Sequence, residues 1–149
     1  MATLYEQDLV LWSEQQAEAL REAAGSGINL PIDWENVAEE IASLGRAEKR
    51  ELVNRLTVLL THLLKWQAQP GRRSTSWRLT IIEQRRKLER HLEDNPSLKT
   101  RLEPAIADAY GDALLRVQRQ TGLPQNAFPP ACLYEPSELL DPGYFPPDL

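Results

Sequence analysis

The sequence predicts an all-α protein: a bundle of about five helices followed by a proline-rich, extended C-terminal strap. Apolar residues recur at steps of three and four through most of residues 1–122, which is the spacing of one face of a helix. Seven of the eleven prolines then fall between Pro124 and Pro147, where a helix of ordinary length cannot continue. No segment shows the strict apolar–polar alternation that is typical of a strand.

Capping residues and glycines predict the first two helices. The first runs to about residue 24, with Tyr5 and Trp12 on its apolar stripe, and a glycine-rich stretch ends it. Asp33 has the chemistry of an N-cap for the second helix. Gly45 either ends that helix or lies inside one long helix that continues into the next segment.

The third helix, over about residues 46–69, has the strongest pattern in the chain. Its apolar residues form two neighbouring stripes, made of Leu52, Leu56, Leu59, Leu63 and Trp66 on one side and Val53, Leu60 and Leu64 on the other. A helix with this much apolar circumference is expected at the centre of a helical protein. Trp77 and Ile81 of the next helix complete the predicted core.

Two further helices are predicted before the strap. Ser74 or Ser76 can cap a fourth helix that ends near residue 93. A fifth helix follows Asn95 and ends at Gly122, with a kink or restart at Pro104, because proline lacks a backbone donor.

The chain length fits a single domain, residues 1–149, in which residues 1–122 form the bundle and residues 123–149 form the strap packed on it. Aromatic and leucine side chains in the strap favour packing over disorder, with one short turn near residues 137–140. The single cysteine, Cys132, excludes an intrachain disulfide and suits the cytoplasm. No apolar run approaches the roughly 20 residues that a membrane span needs.

Charge is distributed unevenly along the chain, whose formal net charge is −5. Residues 1–45 contain one basic and nine acidic residues, residues 46–101 fourteen basic and six acidic, and residues 102–149 two basic and seven acidic. A basic middle of this kind either binds an anionic partner or pairs with the acidic first helix.

Several segments resemble the bacterial domain-of-unknown-function family twenty-nine. The longest is HLLKWQAQPGRRSTSWRLTIIEQR, from His62 to Arg85. The remaining matches are Tyr5, Asp8 and Trp12, the run from Glu39 to Gly45, the run from Asn95 to Leu98, and Phe128 and Pro129 with Cys132. Leu133 departs from the proline that the family often has at this position. The resemblance implies a bacterial helical protein and carries no settled activity.

One candidate site lies within that central motif. His62, Trp66, Arg73, Trp77 and Glu83 come together if the chain folds back at Gly71, and a His62–Glu83 hydrogen bond would then favour the charged imidazole. This arrangement would serve a small enzyme or a ligand sensor. The alternative is a histidine satisfied at a helix interface. Two histidines and one cysteine argue against a metal site, and no cofactor motif is present, so we expect neither a metal nor a cofactor.

The basic segment 72–90 gives the leading hypothesis, a non-enzymatic interaction protein whose partner is nucleic acid or an acidic protein. Its candidate binding residues are Arg78, Arg85, Arg86 and Arg90. Arg78 and Arg85 share a helix side, since seven residues make nearly two turns. Arginine binds phosphate and carboxylate groups in a bidentate manner. The alternative is a solvated helix face paired with nearby glutamates.

Overall fold

A computed structural model describes residues 1–149 and contains six α-helices and no strand. The helices are α1 (Leu4–Gln7), α2 (Leu9–Gly25), α3 (Trp34–Ala68), α4 (Thr75–Asp94), α5 (Leu102–Thr121) and α6 (Pro136–Leu140). Short 3₁₀ helices precede α4 (Pro70–Arg72), α5 (Pro96–Arg101) and α6 (Gln125–Ala127). The all-α prediction is confirmed, with six helices rather than about five. None of them combines the length and apolar character that crossing a membrane requires.

The chain divides into two compact units, each made of two stretches of sequence. The first unit comprises Met1–Glu51 with Leu92–Lys99, and the second comprises Leu52–His91 with Thr100–Leu149.

In the first unit, the predicted first helix breaks at Asp8. The Asp8 side chain accepts hydrogen bonds from the backbone N–H of Leu11 at 2.8 Å and from the backbone N–H of Ser97 at 2.7 Å. One buried carboxylate therefore caps both α2 and the 3₁₀ helix that begins at Pro96. The break also resets the helical phase, so Val10, Ser13 and Ala17 form the buried face of α2, while Tyr5 stays exposed and stacks on Trp12.

Helix α3 passes through Gly45 without a break, so the alternative of one long helix is correct. A Cβ atom at Gly45 would overlap the Oγ atom of Ser13 on α2. Ser13 is fully buried, and its hydroxyl donates to the carbonyl of Val10 at 2.8 Å. Gly45 is thus required by the close approach of α2 and α3 rather than by a helix end. Asp33 caps α3 as expected, since it accepts from the backbone N–H of Asn36 at 3.3 Å.

In the second unit, α3 is buried around most of its circumference. Leu52, Leu56, Leu59, Leu60, Leu63, Leu64 and Ile81 are each at most 1% exposed. Trp66 and Trp77, which the sequence assigns to the same core, are only half-buried. Ser74 rather than Ser76 caps α4, because its Oγ accepts from the backbone N–H of Trp77 at 3.1 Å.

Helix α5 begins and ends as its local sequence requires. Pro104 lies in the first turn, where its missing N–H removes no helical hydrogen bond, so the interruption falls before it in the 3₁₀ helix Pro96–Arg101. Gly122 ends α5 in the left-handed conformation with a φ of 73°.

We expect Gly45→Ala to lower the free energy of unfolding by about 1 kcal/mol, because displacing the buried Ser13 hydroxyl costs more than alanine gains in helix propensity. In a Ser13→Ala background the same substitution should raise that free energy by about 1 kcal/mol. Urea unfolding of the four proteins measures both effects. The same sign of effect in both backgrounds would contradict the close-approach explanation.

Candidate functional site

Arg73 fastens the turn between α3 and α4. Its Nε atom donates to the carbonyl of Trp66 at 2.8 Å, and its guanidinium lies 4.8 Å from the centre of the Trp66 ring. Its Nη2 atom forms an ion pair with Asp148 at 2.5 Å. Phe145 packs against the same tryptophan, with ring centres 4.8 Å apart. Arg73 therefore stabilises the turn and the C-terminal segment.

Trp77 contacts a lysine rather than Trp66. The Nζ atom of Lys65 lies 4.8 Å from the centre of the Trp77 ring and donates to Oε1 of Gln120 at 2.8 Å. Burial lowers the pKa of Lys65 from its ordinary value. The cation–π contact and the amide acceptor compensate for the loss of solvent around this ammonium group.

The expected hydrogen bond between His62 and Glu83 is not formed. The Nδ1 atom of His62 donates to the carbonyl of Val58 in the preceding turn at 2.9 Å, and Glu83 pairs with Lys87 at 2.9 Å. Burial lowers the pKa of His62, and the nearby Lys65 lowers it further, although the hydrogen bond to Val58 acts in the opposite direction. The structure thus favours the neutral imidazole, contrary to the expectation from a carboxylate neighbour.

The structure has one cavity along α4 and another between α5 and residues 130–136, and neither is lined by His62, Trp66, Arg73 or Trp77. Arg73 and Trp66 contact each other, as the sequence predicts. His62 instead binds the carbonyl of Val58, and Trp77 contacts Lys65. Glu83 alone of the predicted pocket residues lines one of the cavities.

We expect wild-type stability to fall as the pH drops below about 6.5, the ordinary pKa of histidine, partly through His62. The pKa of His62 is lower in the folded protein, so the unfolded chain takes up the proton first and gains stability relative to the fold. Urea unfolding near pH 7.5 and near pH 5.5 should show a smaller difference for His62→Gln than for wild type. Equal pH dependence in the two proteins would contradict a neutral, buried His62.

Arg85 is buried and bound to the C-terminal segment, which corrects its assignment to an exposed basic surface. Its side chain is 3% exposed. Its Nε atom donates to the carbonyl of Leu139 at 2.8 Å and its Nη2 atom to the carbonyl of Glu138 at 3.2 Å. The carbonyl of Leu139 lies at the end of α6, where no later turn supplies a donor, whereas the carbonyl of Glu138 also accepts from the backbone N–H of Asp141 at 3.3 Å. Burial lowers the pKa of Arg85, while Asp141 and Tyr144 raise it.

Replacing Arg85 should therefore destabilise the protein, whereas replacing its neighbour should not. We expect Arg85→Ala to lower the free energy of unfolding by about 3 kcal/mol, because the buried carbonyl of Leu139 loses its charged donor and the hydrogen bond to Glu138 is lost with it. Arg86→Ala, at an exposed position, should change it by less than about 0.5 kcal/mol. Thermal and urea unfolding of both variants tests the contrast, and equal losses would contradict the burial of Arg85.

The first cavity lies along the exposed side of α4 and has a volume of about 440 Å³. We call it the basic face; it is formed by Leu79, Ile82, Glu83, Arg86, Lys87 and Arg90. Counted from Leu79, the other five residues lie three, four, seven, eight and eleven positions further along the chain, so all six share one side of the helix. Arg86 and Arg90 are exposed as the sequence predicts, and Arg78 is exposed but lies outside this groove.

The second cavity has a volume of about 480 Å³ and lies between α5 and residues 130–136. We call it the acidic groove; its α5 wall runs from Glu103 to Leu114, and its other wall contains Cys132, Leu133, Tyr134 and Glu135. No lysine or arginine lines it. The hydroxyl of Tyr110 donates to the carbonyl of Pro129 at 2.6 Å, and the hydroxyl of Tyr134 donates to the side chain of Gln67. Both hydroxyls are therefore already bound within the chain, and the two tyrosines line the groove with their rings.

Cys132 is a half-buried thiol in this groove. Burial raises its pKa, although a backbone hydrogen bond with Tyr134 lowers it. A raised pKa leaves less thiolate at neutral pH, so the surroundings of Cys132 do not activate it as a nucleophile. No group of three or more histidine, cysteine, aspartate or glutamate side chains is arranged to hold a metal ion.

Sequence reasoning missed the acidic groove and the apolar part of the basic face. Residues 130–136 reach α5 only through contacts distant in sequence, which no local pattern reports. One signal was available: Gly111 stands inside an amphipathic helix, where glycine costs about 1 kcal/mol relative to alanine. Leu79 was a second signal, because it lies off the apolar stripe of the fourth helix and is 52% exposed.

Comparison with known proteins places the chain among proteins of similar sequence and fold. The family model described as "Domain of unknown function DUF29" matches residues 4–145. A crystal structure of an alpha-helical protein of unknown function from Rhodospirillum rubrum ATCC 11170 is similar, with 25% sequence identity and a TM-score of 0.65. That similarity covers 97% of this chain and 93% of the other. No curated protein sequence gives a significant match.

Proposed function

Because the chain belongs to the family of domain of unknown function DUF29, its function has to be argued from its own surface, and we propose that it is a non-enzymatic binding protein. Its contact surface is the basic face of α4, and its partner is an acidic segment of a protein. The observation that carries this proposal is the combination, on one side of a helix, of three basic side chains with the exposed Leu79.

The basic face has more positive than negative charge. Arg86, Lys87 and Arg90 line it together with one carboxylate, Glu83, which is already paired with Lys87. The guanidinium groups of Arg86 and Arg90 lie one helical turn apart and can each bind a carboxylate in a bidentate manner. A partner with carboxylates at a similar spacing along a helix would engage both arginines.

An acidic protein fits this face better than nucleic acid does. Leu79 is 52% exposed and Ile82 is half-buried beside it, and these apolar side chains would gain from contact with an apolar residue of the partner. A phosphate backbone offers no such contact. The net charge of −5 also opposes association with a long polyanion, whereas a short acidic helix brings fewer charges near the rest of the protein.

The proposal includes three features predicted from the sequence. The protein acts as a single domain in the bacterial cytoplasm, and residues 123–149 serve as a strap. Support for the strap comes from hydrogen bonds to Gln67, which binds the hydroxyl of Tyr134 and donates to the carbonyl of Pro147 at 2.8 Å. Leu139 is fully buried, and Phe128 is nearly so.

The test is fluorescence anisotropy with a labelled synthetic helical peptide that carries leucine on one side and glutamate beside it. Labelled single-stranded and duplex DNA and RNA serve as competing probes. We expect the peptide to bind, to bind more weakly as salt rises, and to lose at least about tenfold in affinity with Arg86→Glu/Arg90→Glu, since two attractive contacts become repulsive. Leu79→Ser should also weaken binding.

Arg50→Glu/Lys99→Glu is the matched control, because it makes the same charge change at two exposed positions of the first unit that do not line the basic face. It should leave peptide affinity nearly unchanged. If a nucleic acid binds more tightly than the peptide and Leu79→Ser has no effect, the partner is nucleic acid and the proposal fails. It also fails if no probe binds at low salt.

A further inference from the structure

We propose that the acidic segment bound by the basic face is the acidic groove of a second copy of this chain, so that the protein assembles head to tail. This inference rests on the proposed function and names the partner of the same face. Both surfaces belong to the second unit of the chain, and they are formed by different helices.

Complementary charge is the first argument. The acidic groove is bordered by Glu103 and Glu135, both exposed, and has no basic residue in its lining. The basic face contributes Arg86, Lys87 and Arg90 against one paired carboxylate. Each surface therefore attracts the other and repels a copy of itself, which favours pairing of unlike surfaces.

Complementary apolar surface is the second argument. The basic face presents Leu79 and Ile82, while the groove offers Leu114 on one wall and Leu133, 71% exposed, on the other. An amphipathic helix that lays its apolar side chains into an apolar groove is a common mode of protein recognition. Association would remove these exposed leucines from water.

Gly111 provides the third argument, because it leaves a position without a side chain in the α5 wall of the groove. A Cβ atom at this position would meet no other atom within 4 Å. The absence of a side chain is not required by crowding within the chain, nor by a positive φ. It does allow a side chain of an incoming helix to approach the backbone of α5.

A contact between two different surfaces has a specific consequence for assembly. Each copy offers one basic face and one acidic groove, so every copy can bind two neighbours, and the result is a ring or an open chain rather than a symmetric dimer. Blocking one surface leaves a copy able to bind on one side only. Two copies blocked at opposite surfaces should therefore form one dimer and stop.

Sedimentation velocity at low salt tests this arrangement. For wild type we expect the sedimentation coefficient to rise with protein concentration and to return to the monomer value at high salt. The face variant Arg86→Glu/Arg90→Glu and the groove variant Gly111→Lys should each remain monomeric. Mixed in equal amounts, they should form a one-to-one dimer and no larger species, through the intact groove of the first and the intact face of the second.

Gly111→Ala is the matched control for the groove variant, since both replace a helical glycine by a better helix former and only lysine places a long positive side chain in the groove. It should still assemble, although more weakly than wild type, because its Cβ atom fills part of the space that the glycine leaves open. Circular dichroism of all variants verifies that the helices are retained. A variant that loses helical signal is replaced by Glu103→Gln at the groove or Leu79→Ser at the face, each expected to weaken assembly severalfold.

Three results would overturn the inference: wild type that stays monomeric at low salt, assembly that survives both surface variants, or an equal mixture that remains monomeric. Its failure is separable from failure of the proposed function. If wild type is monomeric but the acidic peptide still binds the basic face, the face is a docking site for a different protein. If assembly occurs yet Arg86→Glu/Arg90→Glu alters neither assembly nor peptide binding, both proposals are wrong.

Discussion

The buried guanidinium of Arg85 determines how the C-terminal segment lies in the second unit. A charged donor in the interior needs acceptors, and Arg85 finds them in the carbonyls of Leu139 and Glu138 at the end of α6. The carbonyl of Leu139 in turn gains the donor that it lacks within the helix. Its Nη1 atom is buried without a hydrogen-bond partner, and this unpaired donor lowers the free energy that the contact contributes. Because residues 130–136 lead into α6, the same contact holds one wall of the acidic groove.

The tertiary structure divides the basic residues of the middle segment into structural and exposed groups. Lys65 is bound to Gln120 and Trp77, Arg73 to Trp66 and Asp148, and Arg85 to α6. In the first unit, Lys49 pairs with Glu14, and Arg46 with Glu39. These contacts account for part of the charge asymmetry without any partner. The set of basic residues that remains available for binding a partner is smaller than segment 72–90, and it centres on Arg86, Lys87 and Arg90.

The central motif of the sequence has a structural explanation. Arg73 holds the turn after α3, Ser74 caps α4, and Trp66 packs against Phe145, so a long recognisable run of polar and aromatic residues builds a helix–turn–helix corner and anchors the chain terminus. The candidate recognition surfaces lie only partly within this motif: Leu79, Ile82 and Glu83 line the basic face, whereas its basic residues and the whole acidic groove lie outside the motif. A residue pattern that is specific to a family therefore reports packing here as readily as it would report a binding site.

The sequence by itself determined the helical class, the leucine core of α3, the cap at Asp33 and the end of α5 at Gly122, because each depends on residues within one or two turns of the chain. Only the tertiary structure decided that α3 continues through Gly45, that Arg85 is buried while Arg86 is exposed, and that a groove exists beside Gly111. These outcomes depend on close approaches between residues far apart in sequence. Periodicity describes which side of a helix is apolar, but it does not describe what a distant segment will place against the other sides.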